Sequence, residues 1–230
     1  MIFLFGGKRA KHILELVHSD VFGPVSVPSL GKFVYYVSFI DEFSRNTWIH
    51  FLRNKPEVFD RFKEFKVLAE NQTEKKIKVL MTNNGGEFCK KEFQEFCKKC
   101  GIARHKNTPY TPEKNGVSER MNKTLMERSR SKHNGILLGQ EFWAYAARTP
   151  CYLVKRSPSL VLEDQNPQEV WTNKKHSLSH LRVFGCDAYG HVPKEKRTKL
   201  DSKYKKCIFI GYKDGLKGYK IWNPVTRKIV

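Results

Sequence analysis

Residues Lys32–Ile40 read Lys-Phe-Val-Tyr-Tyr-Val-Ser-Phe-Ile, a nearly unbroken run of β-branched and aromatic side chains. A strand wet on one face alternates apolar and polar residues; a continuous run marks a strand covered on both faces. A chain built around such a strand needs packing layers above and below its sheet. The flanking sequence supplies them. Ile13–Val17 is predicted to be a short strand ending at His18-Ser19-Asp20, before a turn at Gly23-Pro24. Thr47–Leu52 alternates as a third strand, and Pro56 can open a helix in which Val58, Phe62, Phe65 and Ala69 recur at helical spacing through Glu70. Ile77–Met81 is a fourth strand running to Asn83, where Gly85-Gly86 breaks it. Lys90–Lys99 then forms a helix and Ile102–Lys106 a short strand. After a loop with Pro109, Pro112 and Gly116, Asn115 is placed to cap a helix carrying Val117, Met121 and Leu125, and another helix runs from about Glu141 to Lys155. Three meandering strands followed by helical crossovers predict an α/β fold, a mixed five-stranded sheet flanked by helices.

The character changes after Pro158. Pro167–Trp171 reads as a short helix, while Leu181–His191 and Cys207–Val230 are Gly- and aromatic-rich strand candidates. Between these, Lys194–Lys206 carries seven basic residues against Glu195 and Asp201. The expected organisation is a lead over 1–12, a core over 13–158, a helical and basic linker with a short strand over 159–206, and a small C-terminal β appendage over 207–230. Lys and Arg total 43 against 23 Asp and Glu, a net charge of +20. The excess is +7 over residues 1–120 and +13 over 121–230. A balance this basic favours a polyanion, nucleic acid before membrane. No apolar run approaches the ~20 residues of a membrane span.

Six cysteines in 230 residues are too few for a disulfide scaffold, so reduced thiols and an intracellular setting are expected. Cys97 and Cys100, with His105 nearby, invite a zinc reading. A second ligand pair at finger spacing is missing, and Cys89, Phe93, Phe96 and Cys100 share one helical face, which favours core packing.

Two acidic residues stand where chemistry would need them. Asp20 closes the first strand and Glu119 lies in the first turn of a helix; position 83, ending the fourth strand, holds Asn. Three converging carboxylates at these positions would hold paired Mg²⁺ or Mn²⁺ ions, which stabilise in-line attack at phosphorus. The residues around them then match a known pattern. The segments His18–Pro24, Phe39–Arg45, Asn84–Phe88, Pro109–Pro112 and Asn115–Arg120, followed by His180–Cys186 and Phe209–Tyr212, together resemble the integrase core of copia-type LTR retrotransposons and the segment after it. The resemblance runs from about Leu14 to the C-terminus.

That resemblance implies a ribonuclease H-like fold and a triad of two Asp and one Glu, with 35 residues between the second and third. The same number separates Asn83 from Glu119. Asp20, Asn83 and Glu119 therefore take the catalytic and metal-ligand positions, with a charge missing from the second. The resemblance also implies DNA as partner, both element ends and target, a homo-oligomer, and a nuclear place of action. It implies metal-dependent end processing and strand transfer, here impaired by Asn83, with Lys123 contacting element-end DNA and a mobile loop at Asn107–Gly116; Arg130, two turns beyond Lys123, is expected from its helix position to join it on a face toward the DNA backbone. Glu87 is weighed as a substitute ligand, but a capping or surface role is expected; Asp41 is expected to serve strand structure. The alternative is a non-catalytic nucleic-acid-binding remnant or domesticated module; a simple ribonuclease H-type nuclease is disfavoured by the Asn84–Phe88 and Asn115–Arg120 motifs. Without the zinc module, protease and reverse-transcriptase segments of such polyproteins, the chain is expected to be a Pol polyprotein fragment.

Overall fold

In a computed structural model the described residues are 9–83, 85–106, 116–134, 138–213, 215 and 218–230. Residues 1–8 of the lead expected over 1–12, the loop from Asn107 and the Asn115 cap lie outside them.

The first sheet comprises β1 (Leu16–Phe22), β2 (Tyr35–Asp41), β3 (Thr47–Leu52), β4 (Val79–Thr82) and β5 (Ala103–Lys106), in the order β3-β2-β1-β4-β5. β1, β2 and β3 pair antiparallel as a meander, while β4 runs parallel to both β1 and β5. The apolar run of β2 is accounted for by its interior position: Tyr36, Val37, Phe39 and Ile40 are fully buried, shared between two faces. On one face, α1 (Val58–Thr73) and α3 (Lys91–Lys99) cover Val17, Val37, Phe39 and Leu80, with Val58, Phe62, Phe65 and Ala69 all buried as their spacing predicts. Phe39 stacks on Phe65 at 4.5 Å between centroids. On the other face, α4 (Gly116–Asn134) and α5 (Trp143–Val154) cover Tyr36, Ile49 and Phe51 through Leu125, Trp143, Ala147 and Cys151.

Three expectations shift. β1 lies three residues later than expected, because Leu14 turns the chain at φ 62 and gives its N–H to the Asp41 carboxylate. Asp20 therefore sits within the strand, paired opposite Ser38. Gly23 ends the strand's run at φ 119; a Cβ there would lie 2.6 Å from the Val34 carbonyl oxygen, so only glycine fits. Second, Gly85-Gly86 ends β4 but does not leave a plain loop: a one-turn helix, α2 (Gly86–Cys89), follows at once. Third, the strand expected at Leu181–His191 exists only as β6 (Asp187–His191), since Phe184 is drawn into a cluster with Phe142, Ala146 and Ile210.

β6 pairs with β7 (Tyr204–Tyr212), followed by β8 (Tyr219–Asn223) and β9 (Lys228–Ile229), in a four-stranded antiparallel sheet. This sheet begins before Cys207, and the basic segment 194–203 is the connection between its first two strands. It packs on the outer side of α5, where Leu138, Phe142 and Ala146 meet Phe184 and Ile210. α5 is thus buried on two sides, and Tyr152 near its end stacks on Tyr212 at 4.1 Å. A short helix, α6 (Pro167–Thr172), is capped by the Asn166 side chain and sends Trp171 against Trp48.

Cys97 is 1% exposed and packs in the core beside Phe93, with Cys100 against the same cluster, so the CxxC pair is built into the hydrophobic layer. Asp41 is structural: its carboxylate accepts from the Leu14 N–H and from both the N–H and hydroxyl of Ser44. No described helix is long and apolar enough to cross a membrane.

Candidate active site

The topology places β1 beside β4 in parallel, with Ser19 opposite Thr82, so Asp20 and Asn83 emerge side by side. Asn83 donates through Nδ2 to Asp20 Oδ1 at 2.8 Å. The second carboxylate oxygen is also occupied. Asn122, on α4, donates through Nδ2 to Asp20 Oδ2 at 3.0 Å. An ionised carboxylate only accepts, which fixes both amides with nitrogen toward Asp20. The Asn83 carbonyl oxygen turns the other way and accepts the Gly85 N–H at 3.0 Å. Asn122 is 5% exposed, and its Oδ1 has no hydrogen-bond partner among the described residues.

Glu119 and Asn122 lie three residues apart, one turn of the same helical face. Glu119 is exposed, yet near enough to act on Asp20 electrostatically. Of the capping or surface role expected for Glu87, the surface part does not hold. The residue is buried in the first turn of α2, with its carboxylate folded back over Gly85, and it too acts on Asp20. Burial raises the Asp20 carboxyl above its usual range; the Glu119 and Glu87 charges add to that, while the Val21 N–H and the Asn122 amide oppose it. The pocket is therefore held together by amides and surrounded by negative charge.

Behind Asp20 on the same strand, buried His18 meets Glu42 Oε2 through Nε2 at 2.7 Å, and Arg45 donates to Glu42 Oε1 at 2.9 Å. Burial alone would raise the Glu42 carboxyl; the His18 hydrogen bond and the Arg45 charge outweigh it and hold Glu42 below its usual range. This network fixes the turn after β2 against β1.

Lys123 and Arg130 are exposed on α4, the first one turn beyond Glu119. Asn122 was missed by sequence reasoning. Its signal was position alone: three residues after Glu119, it must face the same way.

Comparison with known proteins fits this geometry. Residues 10–112 match the integrase core domain family, and residues 186–230 match the retroviral polymerase SH3-like domain family. The chain is 48% identical, over 228 residues covering 99% of it, to the "Retrovirus-related Pol polyprotein from transposon TNT 1-94" of Nicotiana tabacum, of which this is 17%. It is 35% identical over 199 residues, 86% of the chain and 14% of the relative, to that from transposon RE2 of Arabidopsis thaliana. The chain spans less than a fifth of the length of these curated relatives. Among solved structures, a chain of the simian T-cell lymphotropic virus intasome in complex with PP2A regulatory subunit B56 gamma aligns at TM-score 0.56 and 14% identity, over 92% of this chain and 77% of that one. The HTLV-2 integrase catalytic core domain in complex with magnesium aligns at TM-score 0.53 and 17% identity, over 71% and 99%. These two likenesses show the ribonuclease H-like integrase core fold. The chain belongs to the retrotransposon Pol polyproteins, with an integrase core domain followed by a retroviral SH3-like domain.

Proposed function

We propose that this chain is a DNA-binding integrase core whose strand-transfer chemistry is crippled at position 83. The observation that carries the reading is the 2.8 Å hydrogen bond from Asn83 Nδ2 to Asp20 Oδ1. It sets an amide proton against the carboxylate oxygen where the family's triad would place a second anion.

Integrase core domains use divalent metal, and the HTLV-2 relative holds magnesium. The donor set here does not fit a pair of such ions. Each Asp20 oxygen already accepts an amide proton, the Asn83 oxygen is turned to the Gly85 N–H, and only Glu119 offers an exposed carboxylate. Hard cations take anionic oxygens, and two of them need more negative charge than one half-shielded Asp and one Glu provide. Glu87 adds charge to the pocket, but its carboxylate is folded over Gly85. What the residues support is binding: a basic chain, with Lys123 and Arg130 exposed on the helix that carries Glu119, meeting the backbone of element-end and target DNA. Such a role would place the protein in the nucleus and, as for the dimeric HTLV-2 core, in an oligomer.

Strand transfer with Mn²⁺, measured for this chain and for Asn83→Asp, tests the reading. The variant is expected to gain at least ~100-fold, the scale of one deleted electrostatic contact in a catalytic site. Equal activity in both would show that another side chain has replaced the missing ligand. Inactivity in both, with salt-sensitive DNA binding retained, would favour the alternative of a binding module without latent chemistry.

A further inference from the structure

One edge of the five-stranded sheet is β5, bonded on one side only, to β4. The Ala103 N–H turns inward to the Lys78 carbonyl. Strand alternation therefore turns the N–H and C=O groups of Arg104 and Lys106 outward, and no described residue takes them up. Ala103 is exposed, so the edge is open where the strand begins.

Beside this edge, between β5 and α3, lies a cleft of about 350 Å³. Gln94, Cys97 and Lys98 line it from one face of the helix, and Ile102 and Arg104 from the strand side. A strand added to β5 would run about 4.8 Å outside it and send every second side chain toward α3, where the cleft lies. The floor of the cleft is apolar, since Cys97 and Ile102 are both buried. Its rim is positive. Lys98 is exposed and meets no carboxylate among the described residues. The Arg104 guanidinium lies 4.8 Å over the Phe93 ring and donates to the Phe88 carbonyl, and neither contact cancels its charge. None of the lining residues is acidic. Glu95, next to Gln94 in sequence, pairs with Lys91 at 3.8 Å.

We propose that the β5 edge and this cleft dock a short acidic segment of a partner protein, which adds to the sheet as a further strand. The outward backbone groups of Arg104 and Lys106 hold it by main-chain hydrogen bonds, and the cleft takes one carboxylate-bearing side chain beside Lys98. Charge decides between occupants. Two β5 edges paired with each other would bring the Lys98 and Arg104 charges of both copies together, which opposes self-pairing. Outward strand N–H and C=O groups match the backbone of an extended peptide, which a phosphodiester chain lacks. The site does not depend on whether the Asp20 pocket is catalytic.

The test is amide hydrogen exchange followed by NMR on the whole chain, titrated with a peptide of alternating Glu and Val about eight residues long. Bound peptide should slow exchange of the Arg104 amide at least about tenfold, because that proton passes from water into a strand bond, with little change at the inward Ala103 amide. Pro at the centre of the peptide removes an N–H from the ladder and should abolish the protection. Lys98→Glu alters an exposed side chain and leaves the core intact. It should weaken binding of the Glu peptide about three- to tenfold and strengthen binding of the same peptide with Lys in place of Glu. Equal binding of the Pro-containing peptide, or equal affinity of parent and Lys98→Glu for the Glu peptide, would mark unspecific attraction to a basic protein and overturn the proposal. Arg104 protection that grows with protein concentration in the absence of peptide would mark a second copy on the edge and also overturn it. Equal protection by a DNA oligonucleotide, or no binding of the Glu peptide at all, would do the same.

Discussion

Placing Asp at position 83 should make the chain less stable in the absence of metal, although it brings the site closer to its family's pattern. The Asn83 amide now gives a hydrogen bond to a carboxylate at 2.8 Å. Losing a bond to a charged acceptor costs about 1.5–3 kcal/mol. The introduced carboxylate would face Asp20 with like charge, and two unit charges near 4 Å repel by about 4 kcal/mol at an effective dielectric of 20. Asp20 is already raised by burial, with Glu119 and Glu87 adding to it, so proton uptake by one member of the pair would limit the repulsion. A net loss of about 2–4 kcal/mol at neutral pH is expected, a fall in Tm of roughly 4–16 °C for a chain of this size. The sign with pH follows from raised folded-state pKa values. The penalty is absent below the ordinary carboxylate range and grows as pH rises through the raised pKa, so the deficit should close on acidification. Mn²⁺ at a hundredfold excess over its Kd should return about 2.7 kcal/mol to the variant. Thermal unfolding by circular dichroism, in EDTA and in Mn²⁺, measures all three. An Asn83→Asp chain as stable as its parent in EDTA, and indifferent to Mn²⁺, would refute the juxtaposition of the two side chains.

Asn122→Ala removes the other amide from Asp20 and should cost about 1–3 kcal/mol in chemical denaturation, with the Asp20 carboxyl, followed by NMR, moving further up. His50 stays neutral in the fold, its pKa held at about 4 against an ordinary 6.5. Its contribution is full above pH 6.5 and is lost as pH falls through about 4, on the order of 3 kcal/mol in all. His50→Gln should remove that part of the acid sensitivity, and identical acid-unfolding curves for chain and variant would show the imidazole to be solvated.

The sheet was legible because its signals are local. β3 occupies the span its alternation predicts, and the four apolar positions of α1 all reach the core. Local signals failed where a distant partner decides the geometry. The apolar run Ile13–Val17 reads as strand from its start, but Leu14 is turned by a bond to Asp41, 27 residues on. Phe184 sits in a plausible strand sequence and is pulled out of it by α5. At the site, the acidic residues and the anomaly at 83 stand out in the sequence because charge and motif spacing mark them. Asn122 does not, since an asparagine within a helix carries no sign of the carboxylate it meets 102 residues away. Of the two roles expected for Glu87, capping or surface, the surface one fails, because the chain coils at once into α2 and buries the side chain in its first turn.

Mn²⁺ titration followed by electron paramagnetic resonance, on the unaltered chain and on Asn83→Asp, goes straight to the missing charge. A single charge pair near 4 Å is worth about 4 kcal/mol before desolvation, and a surviving 1.4 kcal/mol is a factor of ten in affinity. The variant is expected to bind Mn²⁺ at least about tenfold more tightly. Equal affinity in the two proteins would mean that position 83 faces no cation site, and that the pocket around Asp20 has been misread.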